Sequence, residues 1–364
     1  MALYCRRFAI YAPQERLNKG IVVSSDSTTV TGPSTQEFAG DSPAQVSKRL
    51  FNAMRPKFFP ASVLPVLAGS AWGFMVAGQF DLSAFILALL ATVCVHAGAN
   101  VLNDVGDDSG GTDRQNEDRI YPYTGGSRFI QAGIMTPSGM ARLGVSLLGV
   151  AAIAGLILLF SKGLTVLWFG IAGVSLAVLY SLGPVRLASI GLGELSVGIA
   201  FGVLPVTGAA WLQSGSLGLD VLLFSIPVSV WVTAILLINE VPDIAADGAT
   251  GKRTLPVRVG LGGTSIIYFL LHLSGVAALA WLALRGGMPA WTVIVPALLL
   301  VLALQAARSI RTGIADRPAM TRAIEMTLGI HTIGSIWLTG CAISVSYTHL
   351  TLPTTIGWWR WGGA

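Results

Sequence analysis

The chain has 364 residues, 53% of them hydrophobic and only 11% charged, with a formal net charge of +5. A soluble domain carries about 25% charged residues, and here the apolar residues fall in long runs, so the composition excludes an ordinary soluble domain and marks an integral membrane protein. The basic residues lie in short loops between those runs, without the basic stripe and interleaved aromatics of a nucleic-acid-binding face, and Cys5, Cys94 and Cys341 are too far apart for a metal or redox spacing and read as free thiols.

Residues 1–46 are polar and rich in Ser, Thr and Gly. Met1 to Pro13 contains Arg6 and Arg7 but no apolar core long enough for a signal peptide, so this stretch is expected to be a disordered cytoplasmic tail. Apolar runs then follow at 60–79, 82–103, 140–161, 163–182, 192–213, 219–240, 264–284, 289–307 and 324–345. A spanning helix needs about 20 such residues, so residues 47–343 are expected to form the transmembrane domain. The expected fold is an all-α membrane protein, a nine-transmembrane-helix bundle with a central cavity.

Charge orients the bundle. Lys48, Arg49, Arg55 and Lys57 precede the first run, and Arg114, Arg119, Arg128 and Arg142 follow the second. Arg186 follows the fourth, Lys252, Arg253 and Arg258 the sixth, and Arg308, Arg311, Arg317 and Arg322 the eighth. The opposite loops offer Lys162 and Arg285. By the positive-inside rule the basic side faces the cytoplasm, with a bacterial inner membrane as the expected location. The last stretch, 344–364, is different: Val345 to Thr354 resembles translated sequencing adapter, and Trp358-Trp359-Arg360-Trp361 fits no helix pattern. It is expected to be a scar outside the fold.

The loops after the second and sixth runs each open on an acidic block. In the first, Asn100, Asn103, Asp104 and Asp107 share one helix face, and the block continues through Asp108 to Asp113. In the second, Asn239, Asp243 and Asp247 recur every four residues, and Pro242 loosens the helix locally. An Asp at the centre of a spanning helix costs about 2.5–3.5 kcal/mol, and clustered carboxylates repel one another. Solvated helix ends with ordinary caps would explain one block more easily than two of the same plan on one side of the membrane. Such clusters call for a cation. Hard oxygen ligands suit Mg²⁺, which keeps positions open for phosphate oxygens. Asp104, Asp107, Asp243 and Asp247 are therefore the candidate metal-binding and catalytic residues of a membrane enzyme acting on a diphosphate. Arg55, Arg119, Arg128, Lys252 and Arg253 stand near the blocks as phosphate contacts. His96, His272 and His331 read as hydrogen-bonded structural residues, and Trp72, Trp168, Trp211 and Trp231 as packing or interfacial ones.

These residues carry a resemblance to the UbiA superfamily of intramembrane aromatic prenyltransferases, and within it to the 1,4-dihydroxy-2-naphthoate polyprenyltransferases of menaquinone biosynthesis. The superfamily's first motif is matched by Asn103, Asp104, Asp107, Gly111 and Asp113. Its second is matched by Asp243, Asp247, Gly251, Lys252, Thr254 and Leu255. Arg55-Pro56-Lys57, Tyr180-Ser181-Leu182-Gly183-Pro184 and Gly191-Leu192-Gly193-Glu194-Leu195 resemble the naphthoate enzymes as well. The chain departs from many of them at Asn239-Glu240, where they carry an Asn-rich stretch. The resemblance implies Mg²⁺-dependent transfer of a polyprenyl group from a polyprenyl diphosphate to an aromatic acceptor at the membrane. Asn100, Asn103 and Tyr180 would join the basic residues in holding substrate. It leaves 4-hydroxybenzoate, homogentisate or a tetrapyrrole open as acceptors. A cation transporter, the alternative from another class, would place its carboxylates near mid-span rather than at helix ends beside basic residues.

Overall fold

The computed structural model describes residues 32–110, 118–181 and 186–351, and among them regular structure is helical throughout. Gly111, Asp113 and Leu182 to Pro184 of the motifs fall outside the described residues, as do most of the expected tail and the end of the expected scar.

Local chemistry sets the first elements. Helix α1, Pro43–Ala53, starts from a reciprocal cap: Ser42 Oγ accepts from the Gln45 N–H, and Gln45 Oε1 accepts from the Ser42 N–H. Its first turn falls in the stretch expected as a tail, and so does Phe38, which is buried. Arg55 then turns the chain with a left-handed backbone, φ 59°, into a 3₁₀ turn at Pro56–Phe58. Pro60 opens α2, Pro60–Ala77, which Gly78 ends at φ 70°.

The rest of the bundle follows in order: α3, Leu82–Gly110; α4, Pro137–Lys162; α5, Thr165–Ser181; and α6, Gly193–Gly198. A π-helical turn, Ile199–Val203, joins α6 to α7, Leu204–Ser214. Next come α8, Leu219–Asn239; α9, Ile244–Ala249; and α10, Leu255–Leu284, kinked at Gly260. Finally α11, Ile294–Thr312, turns directly into α12, Arg317–Thr351.

Among the described residues, the apolar runs of the sequence fall on these helices, the run 192–213 on α6, the π-helical turn and α7 together. Among the described residues, seven segments are long and apolar enough to cross a membrane; the last, Ala290–Ser346, contains α11 and most of α12, and Thr165–Tyr180 is apolar but shorter. Length and composition thus give seven such segments where nine crossings are expected, with two helices merged in the last segment and Thr165–Tyr180 below the length of a span.

Packing between the helices relies on small residues, as in membranes generally, where close backbone approach replaces the hydrophobic drive. A side chain at Gly69 of α2 would strike the Val206 carbonyl of α7, and one at Gly202 would strike Ser229 of α8. Helix α3 packs on α4, α10 on α8 and α11, and α12 on α2 and α8. Trp72 and Phe224 meet in the core at 4.8 Å, Trp231 is buried, and Trp168 points outward. His96 is also buried, bonded through Nδ1 to Ser62 Oγ at 2.5 Å, as expected of a structural histidine. Cys94 and Cys341 are free thiols.

Candidate active site

The two acidic blocks sit where α3 and α8 leave the apolar region. Asp104, in the last turns of α3, is only 2% exposed, and its Oδ2 accepts from the Ser127 N–H at 3.0 Å. That bond draws the turn Gly125–Phe129 onto the first block. Asn103 Nδ2 donates to Asp107 Oδ2 at 2.7 Å, one helical turn on, and Gln131 Nε2 donates to Asp108 Oδ1 at 3.2 Å. Asp107 in turn lies within electrostatic reach of Asp104, Asp247 and Lys252. The fold thus brings the two blocks into one site.

In the second block α8 ends at Glu240, and the short helix α9 carries Asp247 inward to 2% exposure. Lys252 Nζ stands 3.4 Å from Asp247 Oδ1. Burial raises the Asp247 carboxyl above its ordinary range, against the pull of Lys252. Burial also opposes the Lys252 charge, but Asp247, Asp107, Glu240 and Asp243 outweigh it and hold the ammonium above its ordinary value. Glu240 is raised as well, by burial and by the neighbouring Glu194. Burial is thus the main cause for the two carboxyls, and the surrounding carboxylates for the ammonium.

Among the described residues, Asp104 Oδ1 and Asp247 Oδ2 are buried without a hydrogen-bond partner, as are Asn100 Nδ2 and Asn239 Oδ1. A buried ionised oxygen with no donor is costly unless a cation meets it. No group of three His, Cys, Asp or Glu among the described residues forms a ready ligand set. Mg²⁺ does not require one, since one or two carboxylates, waters and substrate phosphates complete its shell. One orphaned carboxylate oxygen from each block therefore fits a divalent cation.

The basic residues are held in several ways. Arg55 and Arg128 are the two non-glycine residues with left-handed backbone among those described, at φ 59° and 63°. Such conformations cost about 1–3 kcal/mol each and persist where the surroundings over-determine them. Arg55 Nη2 donates to the Tyr123 carbonyl at 3.3 Å. Arg128 is buried next to Phe129, whose ring meets Phe38 edge-on at 4.8 Å. Tyr123 bonds Glu325 at 3.1 Å, while Arg317 pairs with Asp118 and donates to the Arg119 carbonyl. The loop carrying Arg119 and Arg128 is thus tied to the start of α12. Tyr180 lies within electrostatic reach of Asp107 and Asp247 and packs beside Gly193. Arg253 is exposed, and its contribution is backbone: its N–H donates to the Ser189 carbonyl at 3.0 Å. Ser127, Glu194 and Glu240 were not singled out as site residues from sequence. The signal for Glu194 was available, since it is the one charged residue in the apolar segment 193–214.

The UbiA prenyltransferase family matches residues 62–328. The chain is 33% identical to 1,4-dihydroxy-2-naphthoate octaprenyltransferase of Haemophilus influenzae over 244 residues, covering 65% of this chain and 76% of that one. It is 31% identical to UbiA prenyltransferase domain-containing protein 1 of Xenopus tropicalis, over 60% of this chain and 62% of that protein. Its fold is similar to that of a UbiA homolog from Archaeoglobus fulgidus bound to DMAPP and Mg²⁺, with a TM-score of 0.59 at 16% identity, covering 82% of this chain and 99% of the other. With the acidic blocks joined at one end of an apolar helical bundle and the family match spanning most of the chain, the protein belongs to the UbiA prenyltransferase family and is an integral membrane prenyltransferase.

Proposed function

We propose that the enzyme transfers a polyprenyl group from a polyprenyl diphosphate to 1,4-dihydroxy-2-naphthoate. The observation that carries the diphosphate is the pair of buried, unpartnered carboxylate oxygens on Asp104 and Asp247, with Lys252 beside Asp247. The acceptor rests on the 1,4-dihydroxy-2-naphthoate octaprenyltransferases among the relatives.

Asp104, Asp107, Asp243 and Asp247 would hold Mg²⁺, which when bound supplies charge compensation for the departing diphosphate. Lys252 and Arg128 face the same anion from within the site, Lys252 as a point charge and Arg128 as a planar fork. Arg55, Arg119 and Arg253 extend the basic rim, and Asn100 and Asn103 offer amide groups at the α3 face. The bond from prenyl carbon to oxygen breaks with its electron pair going to the diphosphate. An allylic cation remains, delocalised and sheltered by the apolar helices around the site, with the Tyr180 ring as a π-face beside it. An electron-rich ring carbon of the acceptor forms the new carbon–carbon bond. With dihydroxynaphthoate, the carboxylate leaves as CO₂ and returns its electron pair to the ring, which restores aromaticity.

The test is purified enzyme with Mg²⁺, one long prenyl diphosphate and a panel of acceptors. Dihydroxynaphthoate is expected to be prenylated with release of one CO₂ per product. Preference for 4-hydroxybenzoate, homogentisate or a tetrapyrrole, without CO₂ release, would replace this acceptor.

The excess of Lys and Arg on the side of the acidic blocks supports an active site that faces the cytoplasm, with a bacterial inner membrane as the proposed location. Ser109, exposed at the end of α3, reports on it. A Ser109→Cys variant in a cysteine-free background is expected to react with an impermeant thiol reagent only after cells are permeabilised. Efficient labelling of intact cells would reverse the orientation.

A further inference from the structure

Glu194 is buried at 5% exposure in an apolar segment, a costly place for a carboxylate. Its Oε1 accepts from the Leu255 N–H at 3.0 Å, across 61 residues of sequence. Leu255 is the first residue of α10, and its N–H is one of those that a helix start leaves unsatisfied. The residue that would ordinarily satisfy such groups, Thr254, makes no side-chain cap bond, and its hydroxyl is buried without a partner among the described residues. The acceptor for the end of α10 therefore comes from another helix. A carboxylate suits that position because the helix dipole places partial positive charge there.

The turn just before this cap carries Lys252, the residue proposed to face the diphosphate. The Lys252 N–H donates to the Asp247 carbonyl at 2.9 Å, and the Arg253 N–H to the Ser189 carbonyl at 3.0 Å. The turn Gly251–Thr254 is thus fastened within itself at two points, to α9 through Lys252 and to the loop before α6 through Arg253, and at its exit by the bond from Leu255 to Glu194. Glu194 is itself set firmly, since its backbone carbonyl faces Thr233 Oγ1 of α8 and Ser229 Oγ donates to the Gly198 carbonyl at 2.7 Å. A side chain at Gly198 would strike Thr233, so α6 and α8 touch here backbone to side chain.

We infer that Glu194 is a positioning residue for Lys252: by capping α10 from outside that helix it fixes the Gly251–Thr254 turn and holds the Lys252 ammonium beside Asp247, where the diphosphate binds. The inference rests on the proposed role of Lys252 toward diphosphate. It assigns Glu194 no contact with substrate.

The experiment compares Glu194→Gln and Glu194→Met in the full-length enzyme. Both keep the length of the side chain, but only Gln retains an oxygen for the Leu255 N–H. The Gln variant is expected to stay within about threefold of wild type, and the Met variant to raise KM for the prenyl diphosphate about tenfold, the scale of one lost hydrogen bond to a charged group, with KM for the acceptor unchanged. In a Lys252→Met background, Glu194→Met is expected to add nothing further, because the group it positions is gone. If Met does not yield folded protein, Glu194→Asp, one methylene too short for the Leu255 N–H, replaces it. Equal impairment of Gln and Met would overturn the inference in favour of a need for the carboxyl itself. Full activity of both, or an undiminished effect of Met in the Lys252→Met background, would overturn it as well. Failure of wild-type enzyme to bind prenyl diphosphate would instead remove the functional reading beneath it.

Discussion

Asp104→Asn and Asp247→Asn are each expected to lower prenyl transfer by about 10²- to 10³-fold, the scale of removing one preorganised group that meets developing charge. Asparagine is the informative replacement. At position 104 it keeps an oxygen for the Ser127 N–H, so the Gly125–Phe129 turn and buried Arg128 stay where they are. At position 247 it keeps the volume and the backbone carbonyl that accepts from Lys252. What disappears is one negative charge, together with the ability of an orphaned oxygen to hold a cation strongly. The loss should fall on kcat as well as on KM for the prenyl diphosphate, because leaving-group charge grows as the bond breaks. Steady-state kinetics at saturating acceptor, with folded protein monitored by circular dichroism, check it. Near-wild-type turnover in either variant would remove these residues from the chemistry.

Removal of divalent cations is expected to abolish transfer, and added Mg²⁺ to restore it. The reasoning is electrostatic. Asp107, Asp243, Glu240 and Asp247 surround Lys252, and burial already pushes the Asp247 and Glu240 carboxyls upward. Adding a diphosphate to that surplus without a compensating cation would bring like charges together at low dielectric, where repulsion is poorly screened. EDTA treatment followed by titration with Mg²⁺ measures this directly. Prenyl diphosphate affinity should fall and recover together with turnover. Activity that persists in chelator, with metal content verified at zero, would sink the metal assignment.

Much of the arrangement was legible in the sequence because its causes are local or set by the membrane. Apolar runs must be long where the backbone crosses lipid, and among the described residues they fall on helices. Asn103, Asp104 and Asp107 share a face because a helix repeats every 3.6 residues, and the Asn103–Asp107 bond is that periodicity made visible. The basic flanks of the two blocks mark one side of the membrane without reference to any fold.

Tertiary structure alone decided what depends on partners distant in the chain. The approach of Asp107 to Asp247 requires α3 and α8 to end at the same place in the bundle. No pattern in the sequence shows that Arg55 and Arg128 take left-handed backbone, since that strain is tolerated only where Asp104, Tyr123 and the Phe38–Phe129 contact impose it. Glu194 was legible as a costly charge in an apolar run, but its purpose was not. A carboxylate in that setting needs a donor, and only the fold supplies the Leu255 N–H as that donor, by placing the start of α10 against α6.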